Sequence, residues 1–493
     1  MNIVHASKEF TSSYNLKKLS VLFLLAFTLR ALVFYTYTQH EMRYQQPDTM
    51  DYHNSTICMY IGNGMTRPDN GQPIFWRTPG YSAYLLPFYA WFKPRSGTFQ
   101  GNENGIKAAL WAQVFLSSFT PVLLFFLALV LTGVLGLSWL VGFIFAVHPG
   151  FVLASGFLLT EALSVLFFFI FLIFFYRGYR MWGEGVDTQT YLDLVIAALS
   201  LGIYTWMRPM GQFVGLIALL ILVLSSSSLL YKSKKCAVFI LILLSILAPW
   251  IVRNYRWTGH AFFWPGSGTY LACFNVPKLK RHLTGKSLKE CWQETMHEMS
   301  IEIRKAQRQL SLEKPGYFVS QELVSGKHMW PWIFAHPWLA FRDWMQEVCK
   351  TTFDLYSYQL VSLYAGTFKA DPMEEFLTEK MAACLYAHPL PWYTRAIVWI
   401  EFFWSIFLWI GLWLGFFFFL VQSIWRKLAV TDYLKKMFFL WIKTGLLIGA
   451  VLCMTGGFGY ARLRMPVEPL MVILSLTWWY YLFFIVRKNI SKK

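Results

Sequence analysis

The feature that most constrains this chain is a series of apolar stretches, each about as long as a bilayer is thick. They fall at roughly 19–38, 107–131, 134–152, 157–176, 191–207, 211–231, 236–252, 396–424, 436–455 and 466–486. A helix rises about 1.5 Å per residue, so ~20 apolar residues cross a hydrocarbon core of ~30 Å. Backbone in lipid must satisfy its own hydrogen bonds, which leaves helices and closed barrels. Unbroken apolar runs, without the in–out alternation of barrel strands, select helices. The expected fold is therefore all-α and polytopic, with about ten transmembrane helices. Composition agrees: 56% of the residues are hydrophobic and 14% charged, where a soluble domain carries about 25% charged residues. The aromatic share of 19% suits membrane interfaces. Lys17 and Lys18 precede the first run, which is long enough to span. It reads as a retained signal anchor rather than a cleaved leader.

Charge orients the spans. With the N terminus inside, the short basic segments at 17–18, 177–180, 231–235, 425–436 and the C terminus all become cytoplasmic, as the positive-inside rule requires. Both termini are then inside a plasma (inner) membrane. Three parts follow: an N-terminal transmembrane module over 1–252 with a first outer loop at 39–106, an outer-face segment over 253–395, and C-terminal helices over 396–493. The outer segment is too long for a structureless connection. Helical spacing in LKECWQETMHEMSIEIRKAQRQLSLEKPG makes it mixed or mainly helical, and HPWLAFRDWMQEVCKTTFDLYSYQL is amphipathic enough to lie along the membrane surface. The net charge of +18 is scattered between spans. That pattern fits membrane lipids and an acidic partner and speaks against nucleic acid. The seven cysteines lack any metal-ligand spacing, and a disulfide among the outer ones stays open.

This topology, set by loop charge alone, gathers the unusual polar residues on the outer face. Asp48, Asp51 and Arg77 lie in the first loop; Glu161 lies near the outer end of span four; Arg208, Arg253 with Asn254, and Arg462 with Arg464 sit at three further outer turns. Each has a bland alternative: aspartates that cap a helix, or arginines that snorkel. Together they suit one chemistry. Arginine forks bind a lipid-linked phosphate. A carboxylate deprotonates an incoming hydroxyl or amine. Preorganised cations stabilise the departing phosphate. Asp48, Asp51 and Glu161 are also a set that a divalent metal would use, though no spacing requires one, and the chemistry calls for no cofactor.

Six segments, in order, resemble a known family. PDTMDY resembles the Asp-x-x-x-Tyr pattern after the first span of the GT-C glycosyltransferases, in particular the family 39 branch of protein O-mannosyltransferases and the lipid A aminoarabinose transferase. RTPGYSAYLLPFY, HPGFVLASGFLLTEALS, TWMRP, APWIVRNY and YARLRMPVEP resemble later motifs of that branch. Ser82 stands where a proline is usual, and Thr49 where a second carboxylate is frequent. The resemblance covers roughly 20–275 and 440–493, leaving 276–395 without a motif. It implies a GT-C fold and an inverting transferase. The donor would be a polyprenyl-phosphate sugar, and the acceptor a cell-envelope lipid A, glycan or protein. Asp48 would be the base, Asp51 or Glu161 its helper, and Tyr52, Arg77, Arg208, Arg253, Asn254, Arg462 and Arg464 the donor and phosphate contacts. The competing expectation is a transporter or flippase of lipid-linked sugars, which would place charged or broken-helix sites near mid-membrane.

Overall fold

The computed structural model describes residues 13–39, 44–46, 48–69, 71–94, 102–179, 188–225, 228–309, 317–353, 356, 392–425, 432–454 and 461–490. Among them the regular structure is helical, apart from one isolated bridge between Thr66 and Pro73. The N-terminal part comprises α1 (Ser13–Val33, continued by a π turn to Thr38), α2 (Thr49–Tyr60), α3 (Gly80–Phe92), α4 (Glu103–Ser117), α5 (Thr120–Thr132), α6 (Leu135–Val147), α7 (Pro149–Ala154), α8 (Glu161–Tyr179), α9 (Thr188–Met207), α10 (Gly211–Val223) and α11 (Leu229–Thr258). The segment expected on the outer face comprises α12 (Ser267–Tyr270), α13 (Val276–Thr284), α14 (Leu288–Gln309), α15 (Tyr317–Ala335) and α16 (Pro337–Phe353). The C-terminal part comprises α17 (Trp392–Trp425), α18 (Asp432–Met454), α19 (Ala461–Arg464) and α20 (Glu468–Ile490). Each of the ten apolar runs carries a helix. Among the described residues six helices are long and apolar enough to cross a membrane, and the apolar helices Leu135–Val147, Gly211–Val223 and Leu440–Met454 are shorter.

Packing follows from where apolar residues sit around each helix. Helix α8 is apolar on every side, and nearly all its side chains are buried. Such a helix belongs at a core, and α4, α5 and α9 surround it. Helix α17 instead exposes Trp399, Ile400, Phe403, Trp413 and Phe417, as a helix facing lipid would.

Two expected spans are corrected. The run 134–152 does not form one helix: α6 ends at Val147, His148 is extended (φ −61°, ψ 121°), and Pro149 opens the short α7. Proline lacks the amide that helix continuation needs. The next run starts as a helix only at Glu161, four residues later than expected. Likewise α10 stops at Val223. At 13 residues each, α6 and α10 are only about 20 Å long.

The non-helical residues 155–160 are all buried, which is tolerated at depth only where protein supplies hydrogen-bond partners. Here it does. Gln113 Nε2 donates to Ser155 O (3.0 Å) and Phe157 O (2.7 Å), while its Oε1 accepts from Tyr81 OH (2.8 Å). The Leu158 amide donates to Tyr44 O at 3.0 Å. Thr49 Oγ1 donates to Leu158 O at 3.2 Å. At the other end of the break, the fully buried Arg30 donates to Phe145 O (3.2 Å) and Ala146 O (3.1 Å). It satisfies carbonyls that the end of α6 leaves without helical partners.

The outer segment is helical and tied together by ion pairs: Lys278 to Glu347 at 2.8 Å and Lys280 to Glu298 at 2.6 Å. Glu322 Oε2 accepts the amides of Gly268 (2.8 Å) and Thr269 (3.0 Å) at the start of α12. Cys58, Cys236, Cys273, Cys291, Cys349 and Cys453 are free thiols, and Cys384 lies outside the described residues.

Candidate active site

Helix α2 is held by Thr49 rather than by Asp48. Thr49 Oγ1 accepts the Gln46 amide at 2.8 Å and anchors the helix start to Leu158. Asp48 occupies the N-cap position yet makes no side-chain cap bond. Its Oδ1 accepts Arg77 Nη2 at 2.6 Å, and Asp51 Oδ2 accepts Arg77 Nε at 2.9 Å. One guanidinium therefore bridges two carboxylates one turn apart. It also lies 5.4 Å from the centre of the Tyr52 ring. Tyr52 in turn packs edge-on against Tyr81.

The sequence Arg77-Thr-Pro-Gly80 places that arginine. Pro79 and Gly80 turn the chain into α3. Gly80 meets the backbone of α9 so closely that a Cβ there would stand 2.6 Å from Trp206 C and O. Only glycine fits this contact, which brings the first loop against Trp206-Met207-Arg208. Arg208 Nη2 donates to Glu161 Oε1 at 2.8 Å, and its Nε to Thr160 Oγ1 at 3.3 Å.

Two ion pairs thus stand at different depths. The Arg77 side chain is 25% exposed, with Asp48 at 32% and Asp51 at 37%. Glu161 is 5% exposed and Arg208 13%. Burial lowers the Arg77 proton affinity, but Tyr52, Asp48 and Asp51 outweigh it, and the net shift is upward. The guanidinium stays charged. The Tyr52 hydroxyl is pushed up chiefly by burial and further by Asp48 and Glu161, while Arg77 and Arg208 oppose.

The remaining sequence candidates lie elsewhere. Arg253 donates to Met65 O (2.8 Å), Ile74 O (3.1 Å) and Asn254 Oδ1 (2.9 Å), and packs on Trp250 and Phe75. Asn254 donates to Phe262 O at 3.0 Å and Phe263 O at 3.3 Å. This pair pins the 65–74 turn of the first loop to the end of α11. Arg464 is buried and donates to Thr351 O (3.1 Å) and Thr352 O (2.7 Å), with Glu468 Oε1 at 3.5 Å. His148 Nε2 is 3.5 Å from the same Glu468 oxygen. The Tyr356 amide donates to Glu401 at 2.6 Å, and its ring lies against His148 and Arg464. This second buried knot joins α16 to the C-terminal helices. The Arg462 side chain lies outside the described residues. Among the described residues, no three His, Cys, Asp or Glu side chains gather as a metal ion would need.

Sequence reasoning missed Gln113, Thr160, Arg30 and the Glu468 knot. Gln113 and Arg30 are lone polar residues within apolar runs, a signal of buried work in a membrane bundle. Glu468 follows Arg464 by one helical turn.

Comparison with known proteins places this geometry in a fold. No family model and no curated protein sequence matches the chain. Over 98% of its length it is similar to the archaeal oligosaccharyltransferase AglB from Archaeoglobus fulgidus, solved with an inhibitory peptide and a dolichol-phosphate, at TM-score 0.56 and 14% identity. The apo oligosaccharyltransferase of the same organism gives TM-score 0.52 at 14% identity, again over 98% of this chain. This chain spans 52% of both, about half their length. ArnT from Cupriavidus metallidurans overlaps 92% of this chain and 76% of its own at 15% identity, with a TM-score of 0.36, too loose to carry an argument. The fold is the one those oligosaccharyltransferase structures share: all-α, with apolar helices and a helical segment between α11 and α17.

Proposed function

We propose that this chain is an inverting glycosyltransferase. It would take a sugar from a polyprenyl-phosphate donor and pass it to a cell-envelope acceptor at the outer face of the membrane. The observation that carries this reading is the Asp48–Arg77–Asp51 bridge over Tyr52, with the Gly80 contact on Trp206 bringing the same loop against the stretch of chain that carries the Glu161–Arg208 pair. Two arginines and three carboxylates from four separate segments meet where the outer ends of α8 and α9 approach the first loop. Dolichol-phosphate bound to the oligosaccharyltransferase of the same fold supports a donor of that class.

In this reading Asp48 accepts the proton of the acceptor hydroxyl or amine as that atom attacks the anomeric carbon. The bond from that carbon to the phosphate oxygen breaks, and polyprenyl phosphate departs. Arg77 and Arg208 bind its phosphate, and their fixed charge stabilises the developing dianion. Asp51 and Glu161 hold the two arginines in place. Arg253 and Asn254 pin the first loop to the end of α11, and Arg464 ties α16 to the C-terminal helices. The arginines supply the cationic help, so the reading requires no metal.

The test is transfer by purified protein in nanodiscs, from a panel of labelled polyprenyl-phosphate sugars to envelope extract. Wild type transfers one of them, and folded Asp48→Asn is at least ~100-fold slower, within the range of general-base effects. An asparagine variant as active as wild type, or no transfer from any donor, would overturn the assignment.

A further inference from the structure

Helices α15 and α16 meet at His336, but their hydrogen bonding runs on: the His336 amide donates to Trp332 O at 3.2 Å and the Ala340 amide to His336 O at 3.0 Å. The two form a nearly continuous rod. Trp330, Phe334, Trp338 and Phe341 follow at steps of four, four and three, so they share one side of it. They are 42%, 74%, 74% and 49% exposed. Trp330 stacks on Phe334 and Trp338 on Phe341, with centroids 5.6 and 5.8 Å apart. Four large aromatics in a row on a water-facing surface would be a costly patch.

Two further observations say what covers it. The rod is fastened at the ends of two apolar helices: Trp344 Nε1 donates to Cys453 O at 3.0 Å, in the last turn of α18, and Arg464, ahead of α20, donates to Thr351 and Thr352 of α16. The ridge therefore sits at the level where helices leave the membrane. Charge sorts in the same sense. Every carboxylate on the rod, Glu322, Asp343 and Glu347, is buried, whereas Lys327, Arg342 and Lys350 are exposed. By helical spacing Lys327 and Arg342 flank the ridge, Arg342 lying 3.4 Å from the buried Asp343, and Lys350 falls on the other side; aromatic rings with exposed basic groups beside them complement lipid phosphates over acyl chains.

We propose that this ridge docks into the headgroup region of the membrane, with phospholipid as its partner. It acts as a float that fixes the height of the outer helical segment above the spans. The inference is independent of the chemistry assigned to the site.

The experiment uses the full chain in nanodiscs of phosphatidylethanolamine and phosphatidylglycerol. Photoreactive p-benzoylphenylalanine replaces Phe334, Trp338 or, as control, Lys305, whose side chain is 64% exposed on α14. All three positions are exposed, so the substitutions leave the fold intact. Irradiation is expected to add the mass of one phospholipid at 334 and 338 and none at 305. A crosslink between two copies of the chain, no lipid adduct at 334 and 338, or equal lipid adducts at all three positions would overturn the proposal.

Discussion

Arg77 gives two different nitrogens to two carboxylates, a task that a single ammonium cannot copy. Arg77→Lys keeps the charge but holds Asp48 or Asp51, not both. Transfer, read as kcat/KM with the donor found active, should fall by at least ~10-fold with little change in melting temperature. Wild-type activity in the lysine variant would mean that the fork does not matter. Arg77 contributes no pH dependence near neutrality. Its proton affinity is raised in the fold, so its contribution is complete below the ordinary arginine value and is lost only above the folded one. Asp48, Asp51, Tyr52 and Arg77 were legible in the sequence because they sit in short motifs outside a span. Arg253 and Arg464 were legible as arginines out of place but not by destination. Their partners are carbonyls 179 and 113 residues away, and no local pattern points to a carbonyl.

At the scale of elements, the six non-helical residues between α7 and α8 carry Thr160 and Glu161 to Arg208. Their carbonyls depend on Gln113, whose partners lie 42 and 44 residues off. Gln113→Leu keeps the volume but strands Ser155 O, Phe157 O and the Tyr81 hydroxyl. An unsatisfied buried group costs about 1–3 kcal/mol. The variant should lose about 3 kcal/mol, measured by thermal unfolding in detergent, and transfer should fall with it. Unchanged unfolding would show that water replaces the amide. The turn at His148-Pro149-Gly150 was legible from its proline, but the further break at 155–160 was not, because apolarity runs straight through it. The outer helices make a different prediction. Burial raises the Glu347 carboxyl, but Lys278 and Lys350 more than reverse it, and the net shift is downward. A depressed carboxylate stabilises the fold above its ordinary value and loses that contribution as pH falls through the folded one. Lys278 is lowered chiefly by burial, so it gains by deprotonating only in alkali and leaves the acid window to Glu347. The buried Cys291 thiol on α14 reports opening of this segment. Its reaction with a pyridyl disulfide should accelerate below about pH 4.5, the ordinary value for the group. Glu347→Gln should accelerate it at pH 7 by about 100-fold, the equivalent of about 3 kcal/mol for a broken buried pair. A reaction rate flat with pH in wild type would sink the assignment.

The whole molecule has a polarity that the helix directions settle only in relative terms. Glu161 opens α8 and Arg208 follows the end of α9, so both lie at one end of the bundle. Arg177, near the close of α8, pairs with Asp193, near the start of α9, at the opposite end. The helices were legible because lipid imposes one length rule on them, and each apolar run does carry a helix, though among the described residues six are long and apolar enough to cross a membrane. Which end faces out is predicted from charge instead: the segment 231–235 and Arg177 share the end away from the site, and basic ends are expected inside. On a cysteine-free background, Lys234→Cys and Lys286→Cys are both exposed positions. An impermeant maleimide added to intact cells with a permeable outer envelope should label 286 and spare 234, and inverted vesicles should give the reverse. That result would put the Asp48–Arg77 bridge on the outer face, where no soluble nucleotide sugar is at hand and a lipid must deliver the donor. Labelling of 234 in intact cells would turn the bundle over. The site would then face the cytoplasm, and the case for a polyprenyl-phosphate donor would lose its main physical premise.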